Sequence, residues 1–280
     1  MNVNPRVTKA LTTVFSYIVL CFLTLFFMFP VFIGMLNSLK FEAEMYVDIM
    51  TLPMPPRWEN YLYVINDVNI FSHFKNNIIV TLVAVTGIIF CSSLAGYKLS
   101  RTPGKLSKGI FLMMWASMLI PFHSIMFPVV RVAQALRIKN LLIGLPLVYI
   151  GLGVSFAIFL YHGFVKNVPR DIEEAALIDG CNQVQGFYRV VFPLLLPITM
   201  TITILDVLWV WNDFLLPLVM IGRYENYTLV LVASLFFSTY ITDWGHILPI
   251  LTLTSLPMIV FYLFFQKNIV KGIAEGAVKG

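Results

Sequence analysis

Two carboxylates stand inside a long apolar stretch and are the side chains of this sequence best suited to chemistry. Asp206 and Asp213 lie seven residues apart, so on a helix they share one face. An acid in apolar surroundings is costly and is usually kept for a partner, a proton or a ligand. For Asp213 a hydrogen-bonded role in holding the fold is the better interpretation. For Asp206 two interpretations have equal weight: it lines a solute path, or it contacts a neighbouring helix.

Motifs for catalysis, metal binding and nucleotide binding are absent from the sequence. It contains no H-E-x-x-H, no G-x-S-x-G and no G-x-x-x-x-G-K-[ST]. The nearest match to the last, at Gly104-Lys105, lacks both the first glycine and the final hydroxyl residue. His123 and His162 have no partner at metal-ligand spacing, which favours structural histidines. We therefore predict a chain that is not an enzyme and that holds no metal or cofactor of its own.

The composition predicts a membrane protein. Hydrophobic residues make up 59% of the chain and charged residues only 12%, whereas soluble domains carry about 25% charged residues. So few charges cannot cover a water-exposed surface, so lipid must solvate much of it. The apolar runs are continuous rather than alternating, which indicates helices. The predicted fold class is therefore an all-α membrane protein.

Six apolar runs reach or approach the roughly 20 residues that a helix needs to cross a bilayer. The first is too long for the apolar part of a signal peptide, so we expect it to be retained. Prolines 193, 197 and 217 interrupt the fifth and leave its ends open. The predicted transmembrane helices (TM) are TM1 at 14–36, TM2 at 77–97, TM3 at 110–130, TM4 at 143–165, TM5 at 190–221 and TM6 at 246–266.

Lys and Arg side chains predict the orientation, because they are more frequent in cytoplasmic loops. If the N-terminus is inside, most of the 19 Lys and Arg residues fall in cytoplasmic segments. Arg131, Arg137 and Lys139 run against this bias. We therefore predict that both termini are cytoplasmic.

The polar segment 168–189, between TM4 and TM5, predicts a short helix at the cytoplasmic surface. Pro169 suits its first turn, and Gly180 suits its end in the left-handed conformation. Acidic residues near the start complement the helix dipole, and small apolar residues form one face: Asp171, Glu173 and Glu174, then Ile172, Ala175 and Ala176. On periodicity alone, docking on another protein and resting on lipid headgroups are equally open.

This segment resembles the EAA loop of the permease subunits of binding-protein-dependent ABC importers. The family pattern is E-A-A, three residues, G, nine residues and I-x-L-P, with Val and Phe replacing Ile and Leu here. The matching residues are Glu174, Ala175, Ala176, Gly180, Val190, Phe192 and Pro193. The resemblance covers nearly the whole chain and is greatest with the maltose-type, carbohydrate-importing branch, in particular its second permease subunit. Trp58-Glu-Asn-Tyr61 and Trp211-Asn-Asp-Phe214 also match that branch.

The resemblance implies a fold and a set of partners. The fold would be the type I ABC importer permease fold with six transmembrane helices, a core at 72–266 and a cytoplasmic tail at 267–280. The partners would be a homologous second permease subunit in a heterodimer, a dimer of ATP-binding subunits that hold ATP and Mg, and an extracytoplasmic solute-binding protein, with no nucleic acid. The loop 168–189 would couple to the ATPase through Glu173, Glu174, Ala175, Ala176, Asp179, Gly180 and Pro193.

Residues at membrane depth are predicted to line a translocation path or an outer gate: Tyr149, Asp206, Trp211, Asn212 and Asp213. Aromatic side chains could stack against sugar rings, although Trp and Tyr are equally expected as anchors at the membrane interface. The branch implies an oligosaccharide, with monosaccharides, polyol-like solutes and glycerol-phosphate compounds still open. It also implies the cytoplasmic membrane of a prokaryote.

A gradient-driven secondary transporter or channel is the alternative function. Asp206 and the histidines would then form a proton relay. The intact EAA spacing argues against this alternative, because a gradient-driven carrier has no need of a helix that docks on an ATPase.

Overall fold

The computed structural model describes the backbone of residues 5–237 and 242–277 and the side chains of residues 12–237 and 242–266. Within these ranges the chain is helical, and an isolated bridge between Phe237 and Thr242 is the one β feature. The predicted cytoplasmic tail at 267–280 is described only as backbone, as far as residue 277. Contacts divide the chain into two units, Met1–Ile70 with Ala233–Ser255 and Phe71–Val232 with Leu256–Gly280.

The α-helices of the described part follow one another closely along the chain. They are α1 (Pro5–Asn37), α2 (Glu42–Val47), α3 (Glu59–Asn66), α4 (Ile70–Arg101), α5 (Lys105–Ser117), α6 (Phe122–Ala135), α7 (Gly144–Val165), α8 (Arg170–Ile178), α9 (Gln183–Gly186), α10 (Phe192–Leu194), α11 (Leu196–Asn212), α12 (Leu215–Met220), α13 (Leu229–Ala233) and α14 (Trp244–Ala277). A π-helical turn spans Phe187–Val191, and 3₁₀ turns span Tyr224–Asn226 and Ser234–Phe236.

Four helical segments are long and apolar enough to cross a bilayer: Thr12–Asn37, Ile70–Arg101, Gly144–Val165 and Trp244–Gln266. Two bent pairs raise the number to six if each pair is one span. They are α5 with α6, bent by 108°, and Gln183–Leu194 with α11, bent by 75°. The predicted all-helical class is thus confirmed, while the number of spans and their orientation stay predictions.

The third predicted transmembrane helix, at 110–130, is divided into two helices in the structure. Helix α5 ends at Ser117 and α6 begins at Phe122, with Pro121 at its N-cap (φ −65°, ψ 139°). A proline disfavours helical backbone in the residue before it and has no N–H to donate. Hydropathy predicts the apolar run, but the helix changes direction at Pro121.

The predicted fifth helix, 190–221, is also divided. A π-helical turn leads into α10, a bend at Leu195 separates α10 from α11, and α11 ends at Asn212. Pro193 and Pro197 remove two N–H donors, and their rings clash with carbonyls four residues earlier. Helices absorb such clashes as kinks and π-turns. These prolines therefore make the bend at the N-terminal end of this segment.

Helix α7 lies at the centre of the second unit. Its Tyr149 belongs to one buried cluster with Val80 and Leu216, and its Tyr161 belongs to another with Ile88 and others. At Gly96 of α4, an added Cβ would lie 2.6 Å from Cβ of Tyr161. Small residues let membrane helices approach closely, so Gly96 permits the close contact of α4 with α7.

The first unit fixes its loop with buried polar groups. The side chain of Lys40 is buried, and its Nζ donates to the carbonyl oxygen of Asp48 at 3.0 Å and to Oγ1 of Thr51 at 3.2 Å. Asn60 Nδ2 donates to the carbonyl oxygens of Ser38 and Lys40, both at 3.0 Å. Buried polar groups need such partners, so these bonds order residues 38–60. The described apolar side chains of α1 are instead largely exposed, as expected of a helix that meets lipid or another subunit.

Candidate functional site

Helix α8 forms the surface element that the EAA spacing predicts, and Gly180 ends it. Gly180 has a φ of +88°. The N–H of Cys181 donates to the carbonyl oxygen of Ala176 at 3.0 Å, and the N–H of Gly180 donates to that of Leu177 at 3.1 Å. This pair of bonds is a Schellman motif. The predicted left-handed helix end is therefore confirmed, while Pro169 lies at the N-cap rather than in the first turn.

The turn after α8 leads into α9, whose N-terminus is fixed by a capping box. Asn182 Oδ1 accepts a hydrogen bond from the N–H of Gln185 at 2.8 Å, and Gln185 Oε1 accepts one from the N–H of Asn182 at 3.1 Å. These reciprocal bonds satisfy two donors at the start of α9. The chain from α8 to the π-helical turn is therefore an ordered helix–turn–helix.

Glu173 faces this protein's own helix α4. Nε of Arg101 donates to Glu173 Oε1 at 2.8 Å, and the hydroxyl of Tyr97 donates to Glu173 Oε2 at 2.8 Å. Nη2 of Arg101 also donates to the carbonyl oxygen of Val168 at 2.7 Å. The Arg101 and Glu173 side chains are only 13% and 16% exposed. Charge-assisted bonds in such a partly buried setting are strong, so they attach α8 to the end of α4.

Tyr97 extends this attachment to the next element. Its ring lies 4.9 Å from the ring of Phe187, in the π-helical turn. Phe187 is itself buried. Helix α4 therefore holds both α8 and the start of the following apolar segment.

The outward side of α8 combines an acid with apolar side chains. Glu174 and Ala175 are exposed, and Leu177 and Ile178 are 49% and 85% exposed. Val184 of α9 is also exposed. An apolar patch of this kind beside charges is typical of a protein interface. We call Glu174, Leu177, Ile178 and Val184 the docking surface.

The predicted coupling residues therefore divide into two groups. Glu174, Ala175, Asp179, Gly180 and Pro193 are exposed, whereas Ala176 is buried and Glu173 is bonded to α4. Sequence reasoning missed Ile178 and Arg101. Ile178 follows Glu174 by four residues and so shares its face, a signal that was available. Arg101 is distant in sequence, and nothing in the pattern pairs it with Glu173.

Asp213 is held by hydrogen bonds to both carboxylate oxygens. The hydroxyl of Tyr149 donates to Oδ2 at 2.8 Å, and the N–H of Leu215 donates to Oδ1 at 3.1 Å. Asp213 thus ties α7 to the junction of α11 and α12. These bonds support the structural role favoured for Asp213, and its predicted place on a solute path stays a prediction.

Asp206 stands apart from this arrangement. Its side chain is 3% exposed, and Oδ2 has no hydrogen-bond partner among the described residues. Asp206 lines an open cavity of about 770 Å³, as do Asp213, His123 and Trp209. Neither His123 nor Trp209 is among the five predicted path residues, although histidine and aromatic side chains were considered as possible solute contacts.

Trp211 and Asn212 do not line this cavity. Trp211 is buried, its ring lies 5.6 Å from that of Phe74, and its carbonyl oxygen accepts a bond from Asn77 Nδ2 at 3.3 Å. Asn212 is exposed and donates to the carbonyl oxygen of Leu208 at 2.8 Å. Of the five predicted path residues, the structure brings Asp206 and Asp213 to one cavity, and Tyr149 contacts it through Asp213.

Asparagines hold the segment that follows α12. Asn76 Nδ2 donates to the carbonyl oxygens of Glu225 at 2.7 Å and Tyr227 at 3.1 Å. Asn140 Oδ1 accepts the N–H of Gly222 at 2.7 Å. Side-chain amides that bond to backbone order loops in this way. These bonds fix residues 222–227 against α4 and the chain before α7.

Comparison with known proteins identifies the class. The family described as "binding-protein-dependent transport system inner membrane component" matches residues 87–275, which include α8, the docking surface and the cavity. The chain belongs to this family. It is therefore a multi-pass transport component of the cytoplasmic membrane, and the gradient-driven alternative is disfavoured.

Individual relatives cover nearly the whole chain. The probable starch degradation products transport system permease protein AmyC of Thermoanaerobacterium thermosulfurigenes is 36% identical over 257 residues, covering 92% of this chain and 93% of the relative. The arabinooligosaccharides transport system permease protein AraQ of Bacillus subtilis is 30% identical over 262 residues, covering 92% of each. A solved bacterial ABC transporter that imports the acidic polysaccharide alginate has a TM-score of 0.81 at 19% identity, over 95% of this chain and 99% of that one. This last likeness concerns the fold alone.

Proposed function

We propose that this chain is one of two permease subunits of an ATP-driven, binding-protein-dependent importer and that it passes an oligosaccharide into the cell. The observation that carries the coupling role is the arrangement of α8, which presents Glu174 and Ile178 outward while Glu173 is bonded to Arg101. The sugars in the names of AmyC and AraQ support the solute class.

The docking surface would transmit motion from an ATP-hydrolysing subunit. Ile178 and Leu177 would pack into an apolar cleft of that subunit, and Glu174 would pair with a basic residue beside it. The bonds from Glu173 to Arg101 and Tyr97 would carry a displacement of α8 into α4. A rigid connection is needed because a loose loop would absorb the displacement.

The remaining parts of the assembly follow from the family. A homologous permease would form a heterodimer with this chain, and its surface or lipid would cover the exposed side chains of α1. ATP and Mg would be held by a dimer of partner ATPase subunits, because this sequence has no phosphate-binding loop. A solute-binding protein would deliver the sugar at the extracytoplasmic side. Six transmembrane helices with both termini in the cytoplasm fit this arrangement.

Transport by the reconstituted complex tests the proposal. The complete importer is placed in liposomes with its binding protein, and uptake of maltotriose, arabinotriose and raffinose is measured with ATP and with a non-hydrolysable analogue. We expect uptake of at least one sugar with ATP and none with the analogue. Equal uptake with both nucleotides would contradict the ATP-driven mechanism, and uptake of none of the sugars would contradict the carbohydrate assignment.

A further inference from the structure

The cavity beside Asp206 lies at mid-length of the central helices. It is lined by Leu152, Gly153 and Phe156 of α7, which runs from Gly144 to Val165, and by Leu205 and Asp206 of α11. Its volume of about 770 Å³ is within the range of roughly 300–1,000 Å³ that is typical of small-molecule sites. A carboxylate at this depth is a functional group by default.

The broken backbone between α5 and α6 forms another wall. Met118, Ile120, Phe122 and His123 all line the cavity, and the chain turns by 108° there. Non-helical backbone is tolerated at membrane depth only where it is buried in protein or lines a water-filled cavity. His123 on this wall also carries an imidazole, which can donate a hydrogen bond.

Asp206 offers a hydrogen-bond acceptor to the cavity. The residue is 97% buried, and Oδ2 lacks a partner among the described residues. Leaving a buried acceptor unsatisfied is costly unless a ligand or water bonds to it. The cavity thus presents an acceptor on α11 and the His123 imidazole on α6, which a group that both donates and accepts would satisfy. Hydroxyl groups do both.

Aromatic rings supply the apolar part of the wall. Trp209 is 39% exposed, and Phe156, Phe122 and Phe214 also line the cavity. Trp209 is held in place by Tyr149, whose ring lies 5.4 Å away at nearly a right angle. A mostly apolar wall with a few polar groups is the general form of a ligand site. A sugar ring matches it, because it has C–H faces and hydroxyl edges.

We propose that this cavity is a solute-contact site within this subunit, in which Asp206 accepts hydrogen bonds from the hydroxyl groups of a neutral carbohydrate and Trp209 packs against its ring. The proposal rests on the proposed function and adds to it the place where the permease itself contacts the sugar. It makes Asp206 a specificity-determining residue.

The test uses the complete reconstituted importer with its binding protein, and maltotriose, arabinotriose and raffinose as probes. The variants are Asp206→Asn, which keeps the shape, Asp206→Leu and Trp209→Leu. Thr201→Val is the matched control, because Thr201 is on the same helix, outside the cavity, and its hydroxyl bonds to the carbonyl oxygen of Pro197 at 3.2 Å. Each variant is scored by sugar transported per ATP hydrolysed, by relative rates on the probes, and by co-purification of the second permease.

We expect Asp206→Leu to lower the sugar transported per ATP by up to about tenfold, as the loss of one hydrogen bond implies. Asp206→Asn should change the relative rates on the three probes, and Thr201→Val should behave like the unaltered importer. Unchanged ratios in both Asp206 variants would overturn the proposal. So would an equal loss for all sugars together with loss of the second permease, because Asp206 would then hold the subunits together. If the unaltered importer takes up none of the probes, the carbohydrate function itself fails, and the proposal fails with it.

Discussion

Arg101 at the end of α4 bonds to Glu173 of α8 and, through the same guanidinium, to the backbone just before α8. The bonds to Glu173 Oε1 and to the carbonyl oxygen of Val168 measure 2.8 and 2.7 Å. A planar guanidinium can make both at once because its donors form a fixed fork. One side chain therefore sets both the position and the direction of α8, and Glu174 is exposed on the outward side.

Removing either partner of this pair should uncouple transport from ATP hydrolysis. Arg101→Gln and Glu173→Gln each leave a partly buried polar group without its charged partner, and we expect a coupling free energy of about 1–3 kcal/mol between them. The measurements are the thermal stability of the purified complex and the sugar transported per ATP in both single variants and the double variant. Arg170→Gln is the control, because Arg170 is exposed on the same helix. Fully additive effects in the double variant would contradict the prediction.

A charge placed on the docking surface should block assembly without unfolding the chain. Ile178 is 85% exposed, so Ile178→Asp should change the stability of the isolated permease by no more than about 0.5 kcal/mol. The variant should fail to co-purify the ATPase, because the buried carboxylate would lack a partner. Leu106→Asp is the matched control, since Leu106 is 78% exposed outside the docking surface. Normal ATPase recovery with Ile178→Asp would refute the docking role of this face.

The sequence predicted the helical class because apolar runs and lipid leave the backbone few alternatives. It did not predict the 108° break before Phe122, although Pro121 was visible. Proline within an apolar run predicts a kink or a packing feature equally well. The outcome depends on which neighbouring helices fill the space, and a single sequence does not contain that information.

The two candidate sites were predictable to different degrees. The helix end at Gly180 and the face that carries Glu174 follow from local spacing, and their docking role follows from the resemblance to the EAA loop. The partner of Glu173 is Arg101, 72 residues earlier, and the ring packed against Trp209 is Tyr149 of another helix. Such long-range pairs depend on tertiary packing, so the resemblance placed Glu173 with the docking residues, and the sequence could not place Trp209 beside Asp206.

The conformation of Gly180 gives a prediction that separates backbone from side-chain effects. An added Cβ at Gly180 would meet nothing within 4 Å, yet φ is +88°. Gly180→Val should therefore cost about 1–3 kcal/mol through backbone strain alone, reorient Ile178 and reduce uptake. Gly180→Asn should retain most uptake, because Asn tolerates the left-handed region.

The control for this pair is Gly163→Val, since Gly163 has ordinary helical backbone and also meets nothing within 4 Å. Uptake and ATPase co-purification are measured for all three variants. Equal effects of Val and Asn at position 180 would show that the left-handed conformation is not what the site requires.

Tyr149 and Asp213 provide a test of what holds the C-terminal end of α11. Tyr149→Phe removes the hydroxyl that donates to Asp213 Oδ2 at 2.8 Å and leaves that oxygen without a donor from α7. A hydrogen bond to a charged group contributes about 1.5–3 kcal/mol, so the melting temperature of the purified permease should fall by several degrees. Tyr262→Phe, at a tyrosine that is 52% exposed, should leave the melting temperature unchanged. Because Asp213 also lines the cavity, adding Asp213→Asn separates the two roles. If the bond affects stability alone, the double variant Tyr149→Phe with Asp213→Asn should have nearly the same melting temperature as Tyr149→Phe. An unchanged melting temperature in Tyr149→Phe would show that other contacts hold Asp213.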